Sequence, residues 1–96
     1  MMEIQREEHG KRGAFFIDEQ GEWIAEMTYI KSGEGEITID HTEVDKKLRG
    51  ENIADDLVAS AVAYARENGL KIKSTCSFAS KALKANADYQ DVFLAG

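Results

Sequence analysis

The sequence predicts an α/β (α+β) domain: a mixed, mainly antiparallel sheet with one parallel βαβ crossover. Three observations predict it. Residues 14–30 are rich in β-branched and aromatic side chains and are broken by glycine-bearing turns. Apolar residues recur at helical spacing between Glu51 and Asn68. A short alternating segment then follows an Asn68-Gly69 stop, so strand, helix and strand succeed one another with little connection.

The elements follow in chain order. Met2 to Gln5 is expected as a short first strand, ended by the polar run Glu7 to Arg12. Ala14 to Asp18 reads as a second strand, and Glu19-Gln20-Gly21 as a hairpin loop. Trp23, Ala25, Met27 and Tyr29 alternate with Glu22, Glu26 and Thr28 in a half-buried third strand, with Ile24 and Ile30 blurring the polar face. Trp23 and Tyr29 are read as packing residues and His9 as an inert loop residue. Ser32-Gly33-Glu34-Gly35 is a turn.

In the fourth strand, from Glu36, Ile37 and Ile39 point one way and Thr38 and Asp40 the other. That count leaves Val44 on the polar side, so either Val44 is exposed or a β-bulge near Asp40 to Thr42 switches the parity and restores it to the apolar face. The helix from Glu51 to Asn68 carries its stripe on Ile53, Ala54, Leu57, Val58, Ala61, Val62 and Ala65, with acids at its start and Arg66 at its end. Leu70 to Cys76 is a strand. A second helix is expected over Phe78 to Ala85, with Phe78, Ala82 and Leu83 inward, and the apolar tail from Tyr89 to Leu94 is expected to dock.

Bulk properties narrow the class. The 96 residues are expected to form a single domain (residues 1–96), and 43% hydrophobic with 31% charged residues is ordinary for a globular protein. A net charge of −6, from 18 acidic and 12 basic residues, disfavours nucleic acid and favours cationic partners such as amines. No stretch reaches the roughly 18 apolar residues of a membrane span, and the N-terminus lacks an export signal's apolar core. Cys76 stands alone, so no internal disulfide forms and a cytoplasmic setting is expected. With only His9 and His41 beside it, no zinc-ligand spacing appears, and no metal is expected.

Open α/β sheets bind ligands beyond the carboxyl ends of their parallel strands. Here those ends are His41 to Val44 and Cys76 to Phe78. Between the fourth strand and the long helix runs Asp45-Lys46-Lys47-Leu48-Arg49-Gly50-Glu51-Asn52-Ile53-Ala54. A basic turn entering a helix offers unpaired amides and the positive dipole end to an anion, or is simply a solvated turn.

Arg49-Gly50-Glu51-Asn52-Ile53-Ala54 resembles the Arg/Gln-x-x-Gly-x-Gly/Ala signature of the GNAT superfamily of N-acetyltransferases, whose loop wraps the pyrophosphate of acetyl-CoA. Together with Asp40-His41-Thr42-Glu43-Val44 and Ser74-Thr75-Cys76-Ser77-Phe78, the chain looks like the small YjdJ-type branch of that superfamily. The resemblance runs from about Ala25 to the C-terminus and implies a minimal acetyl-CoA-binding fold. The signature's central glycine is Asn52 here. Asn is among the residues most tolerant of left-handed angles, and its amide can donate to a phosphate. A cost of about 1 kcal/mol would weaken binding roughly fivefold.

The resemblance implies roles. Glu43 and Val44 would lend backbone groups to the pantetheine arm. Leu48, Arg49, Gly50, Glu51, Asn52, Ile53 and Ala54 would hold the pyrophosphate, and Ser77, Phe78 and Lys81 would line the arm. The thioester would lie where the bulged strand splays from its neighbour, its carbonyl polarised by a backbone N–H. Two readings stand for His41: the general base that neutralises the acceptor amine, since imidazole titrates near neutrality, or a histidine bracing the bulge. For Cys76 they are a general acid or acyl-carrying nucleophile, or a small buried apolar residue. Tyr89 is a further proton donor by role alone. The implied function is acetyl transfer from acetyl-CoA to an amine, protein-borne or polyamine, by a monomer or weak homodimer. The alternative is a CoA-binding sensor or interaction module without efficient turnover. Fuller members carry helices between the first two strands; here only Glu7 to Gly13 lies there, which implies an open acceptor site.

Overall fold

The computed structural model describes residues 3–94. One five-stranded sheet comprises β1 (Gln5–His9), β2 (Arg12–Glu19), β3 (Glu22–Gly33), β4 (Glu36–Val44) and β5 (Lys71–Ser74). The strands lie side by side in chain order, antiparallel from β1 to β4, with β5 parallel to β4. The crossover between β4 and β5 is α1 (Ile53–Asn68), and α2 (Ser77–Ala85) follows β5. The mixed sheet and its parallel crossover are as the sequence implies.

The apolar stripe of α1 (Leu57, Val58, Ala61, Val62 and Ala65) is buried against Met27, Ile37 and Ile39 of the sheet. Ala79 and Leu83 of α2 join the same core, so both helices cover one face and leave the other open. Gly69 ends α1 in a left-handed conformation, and its N–H donates to the Ala65 carbonyl. The tail docks as expected. Ile72 of β5 pairs with Phe93 through Ile72 N to Val92 O (2.7 Å) and Leu94 N to Ile72 O (2.8 Å). Arg66 grips Asp91 at 2.9 and 2.8 Å, tying the end of α1 to that tail.

Four sequence expectations are corrected. The first strand spans Gln5–His9, so the run from Glu7 is strand and the connection is the two-residue turn Gly10–Lys11; Met2 lies outside the described residues. An edge strand tolerates such residues because Glu8 is answered from β3: Lys31 Nζ lies 2.5 Å away and the Tyr29 hydroxyl donates to it at 2.8 Å. Ile24 is the extra residue of a bulge facing Ile17 and Asp18, which turns Trp23 onto the open face, stacked on Phe16 at 4.1 Å. Helix α1 starts at Ile53, because Asn52 adopts a left-handed conformation. Phe78 is 39% exposed and is not part of the α2 core stripe.

Tyr29 is fully buried, and Gly13 opposite it makes room: a Cβ there would fall 2.3 Å from the Tyr29 ring. Arg6 donates to the Tyr29 hydroxyl (3.0 Å) and lies 4.2 Å from the Tyr64 ring centre. Burial first, then donation to Glu8, pushes the Tyr29 phenol well above its ordinary range.

Candidate functional site

The site begins with the bulge in β4. Tyr29 pairs with Ile39 and Thr28 with His41, so Asp40 is the inserted residue, within the stretch where the apolar count calls for a bulge. Thr28 donates to Asp40 at 2.6 Å and Arg12 at 3.1 Å. Burial opposes the charged carboxylate, but those two partners outweigh it and hold Asp40 below the usual range. Past the bulge the parity switches. Thr42 and Val44 turn toward the helices while His41 and Glu43 stand exposed on the open face.

The same point marks where β4 and β5 part. Ser74 is the last β5 residue paired with β4, opposite Ile39, and Thr75 N donates to Ile39 O at 2.9 Å. Beyond that bond β4 runs on without β5. Across the gap the Cys76 thiol donates to Thr42 Oγ1 at 3.4 Å.

At the far end of β4 the chain turns into α1. Asp45 N is pinned to Ile24 O (2.9 Å), and the Asp45 carboxylate accepts from Lys47 N at 3.1 Å, capping a 3-10 turn over Lys46–Leu48. Leu48 anchors the turn in the core. Gly50 (φ +90°) and Asn52 (φ +59°) then reverse the chain with left-handed angles. A side chain at Gly50 would carry backbone strain, although open space surrounds it. Asn52 thus adopts the angle for which the signature uses glycine.

The result is a helix start without a side-chain cap. Its first internal bond is Asp56 N to Asn52 O (3.0 Å), so the amides of Ile53, Ala54 and Asp55 have no acceptor within the helix. These amides open on a cleft of about 230 Å³ lined by Val44, Leu48, Arg49, Gly50, Asn52, Ile53, Ala54, Asp55 and Phe78. Bare amides at a positive dipole end, an arginine and apolar walls together fit a ligand with an anionic group and a slender apolar arm.

The remaining sequence candidates fall as follows. Glu51 is exposed outside the cleft lining, its N–H donating to Leu48 O at 3.3 Å. Ser77 and Lys81 line a neighbouring hollow with Ser80, Lys84 and Ala85. Lys47 is bound to Glu19 at 2.6 Å, and Arg49 is the cation among the residues that line the cleft. His41 has a side chain 57% exposed, with Nε2 3.5 Å from Glu43, and does not face Cys76. His9 is an exposed β1 residue, and Tyr89 packs half-buried in the 3-10 turn after α2.

Two residues escaped the sequence reading. Thr42 faces Cys76; the parity shift that returns Val44 inward also returns Thr42, which was the available signal. Asp55 lines the cleft, and no sequence signal separated it from the other acids of the first turn.

A family model for GCN5-related N-acetyl-transferases matches residues 14–92. The chain belongs to that family. It is 38% identical to a GCN5-like candidate N-acetyltransferase from Staphylococcus aureus, with a TM-score of 0.77 over 99% of this chain and 90% of that one. Larger proteins share the fold. A candidate acyl-CoA N-acyltransferase from Klebsiella pneumoniae subsp. pneumoniae is 24% identical (TM-score 0.59; 78% of this chain, 55% of that one). The ribosomal-protein-alanine N-acetyltransferase of Brucella melitensis is 17% identical (TM-score 0.59; 90% and 66%). No curated protein matches the chain. The family uses acetyl-CoA as cosubstrate. Among the described residues, no helix is long and apolar enough to cross a membrane, and no three His, Cys, Asp or Glu side chains converge on a metal position.

Proposed function

We propose that the chain is an acetyl-CoA-dependent N-acetyltransferase acting on an amine acceptor, and that residues 48–54 hold the cosubstrate's pyrophosphate. The observation that carries this is the uncapped start of α1, whose free amides and Arg49 open on a cleft with apolar walls. Val44 and Phe78 flank the pantetheine arm, and the bulged strand directs that arm toward the gap between β4 and β5. The Glu51 side chain, Ser77 and Lys81 lie outside this lining and serve at most its margin.

At the gap the acceptor nitrogen attacks the thioester carbonyl, the C–S bond breaks, and CoA leaves as a thiolate that needs a proton. On this reading Cys76, whose thiol meets Thr42 across the gap, supplies it. His41 and Glu43 stand on the open face, where the acceptor ammonium arrives and must lose its proton. β1 and β2 are joined by Gly10–Lys11 alone, so no lid rises from that connection. That openness also favours a second reading, a CoA-binding module with little turnover.

Thermal shift and calorimetry with acetyl-CoA test the site. A ligand bound only by the native state raises stability by RT ln(1 + [L]/Kd), and Arg49→Glu should reduce the shift at least tenfold in apparent affinity. An undiminished shift in Arg49→Glu would place the cosubstrate elsewhere. Thiol release with an amine panel then separates enzyme from module, and Cys76→Ala with unchanged turnover would remove Cys76 from the chemistry.

A further inference from the structure

A second groove lies at the end of β5. Its walls are Ser74 and Thr75 from the end of β5, Ser80 and Lys84 from α2, and Phe93 and Leu94 from the docked tail, enclosing about 290 Å³. Through Ser80 and Lys84 it continues into the hollow that holds Lys81. Among the described residues neither Lys81 nor Lys84 has a carboxylate within ion-pair distance, although the chain has 18 acidic residues against 12 basic ones. Lys73, at the groove's other side, shares its charge with Glu36 at 3.2 Å.

The hydroxyls are equally available. Ser80 Oγ donates to Ser74 O at 3.4 Å and Thr75 Oγ1 to Ile39 O at 3.5 Å. Both are at the long limit for such bonds, and a charged acceptor forms a shorter and stronger one. Phe93 and Leu94 add an apolar side for methylene groups. The groove reaches the end of the paired stretch, since Ser74 pairs with Ile39, the residue before the Asp40 bulge.

We propose that this groove takes the anionic group of the acceptor, so the acceptor is an amine carrying a carboxylate, such as an amino acid or the free amino end of an acidic peptide. The inference rests on the acetyltransferase reading for the word acceptor, and on the groove alone for the carboxylate. It reverses the expectation from net charge that a cationic partner is preferred: Lys81 and Lys84, which have no carboxylate partner among the described residues, set the local field, and charges beyond roughly 10 Å are screened.

The test is an amide NMR titration of the CoA-saturated protein with triglutamate bearing a free amino terminus, with trilysine and inorganic phosphate as parallel arms. Triglutamate should move the amides of Ser74, Thr75, Ser80 and Lys84 saturably, and trilysine should not. Lys84→Glu, an exposed change, should weaken triglutamate at least tenfold, Lys84→Arg should restore it, and CoA affinity should hold in both. The proposal is overturned if trilysine binds there equally, if Lys84→Glu is silent, or if phosphate matches triglutamate at equal concentration. It also falls if CoA alone produces the same shifts, which would make the groove part of the cosubstrate site. Triglutamate binding to a protein that fails to bind CoA would keep the anion site and remove the acetyltransferase reading.

Discussion

At the β1–β3 end of the sheet, polar groups answer one another: the Tyr29 hydroxyl meets Glu8 and Arg6, and Glu8 also meets Lys31. At the β4–β5 end the strands part, the first amides of α1 face a cleft, and Lys84 has no carboxylate partner among the described residues. The same sheet is closed at one end and chemically open at the other. Stability is concentrated where partners are satisfied, and binding where they are withheld, because an uncompensated donor is costly to the fold and useful to a ligand.

That division can be broken experimentally, and the largest expected effect comes from Gly13→Ala. The new methyl would collide with the buried Tyr29 ring, costing about 1–3 kcal/mol. Calorimetric melting should show a Tm lower by about 4–8 °C per kcal/mol, with acetyl-CoA affinity unchanged. A change in affinity as large as the change in stability would show that the two ends are coupled.

Tyr29→Phe should cost about 1 kcal/mol by removing a hydroxyl between Glu8 and Arg6, measured by urea denaturation. Leaving stability intact would mean that the cluster merely decorates the sheet.

Acid should act next. Glu8 is held below its ordinary value, first by Lys31 and also by the Tyr29 hydroxyl, against the opposing effect of burial; Asp40 is likewise lowered. Carboxyls depressed in the folded state contribute stability above the unfolded value, roughly pH 4, and lose it as pH falls through the folded one. Tm should therefore fall as pH drops below about 4, and Glu8→Gln should flatten part of that fall. A curve unchanged in Glu8→Gln would remove the cluster from the linkage.

The smallest effect sharpens the comparison from the other end. Asp55→Asn removes a negative charge beside the proposed pyrophosphate position and should tighten acetyl-CoA about two- to fivefold by calorimetry. It should also lower Tm slightly, because an acid at a helix start stabilises the dipole by about 0.3–1 kcal/mol. Affinity and stability moving together would contradict the proposed placement.

Much of the fold was legible because its signals are local. The α1 stripe, the Asn68-Gly69 stop and the parity conflict at Val44 each sit within a few residues, and the loop from Asp45 to Ala54 is contiguous. What was illegible depends on distant partners. The polar residues of β1 become strand because Lys31 and Tyr29 receive them. Phe78 escapes the core because Ala79 and Leu83 fill that side of a short helix. Trp23 changes face through a bulge that neighbouring sequence does not mark. The lysine groove exists only when β5, α2 and the tail converge, and no spacing rule encodes that meeting.

Because the strands lie in chain order, every pairing from β1 to β4 is a hairpin with near neighbours, whereas β5 can join only after the whole of α1 has been threaded past. Closing a connection of that length costs more entropy than closing a hairpin, which delays non-local pairing. The β5 side of the sheet should therefore assemble last and come undone first, so that hydrogen exchange along β5 would report a bound ligand long before the meander noticed it.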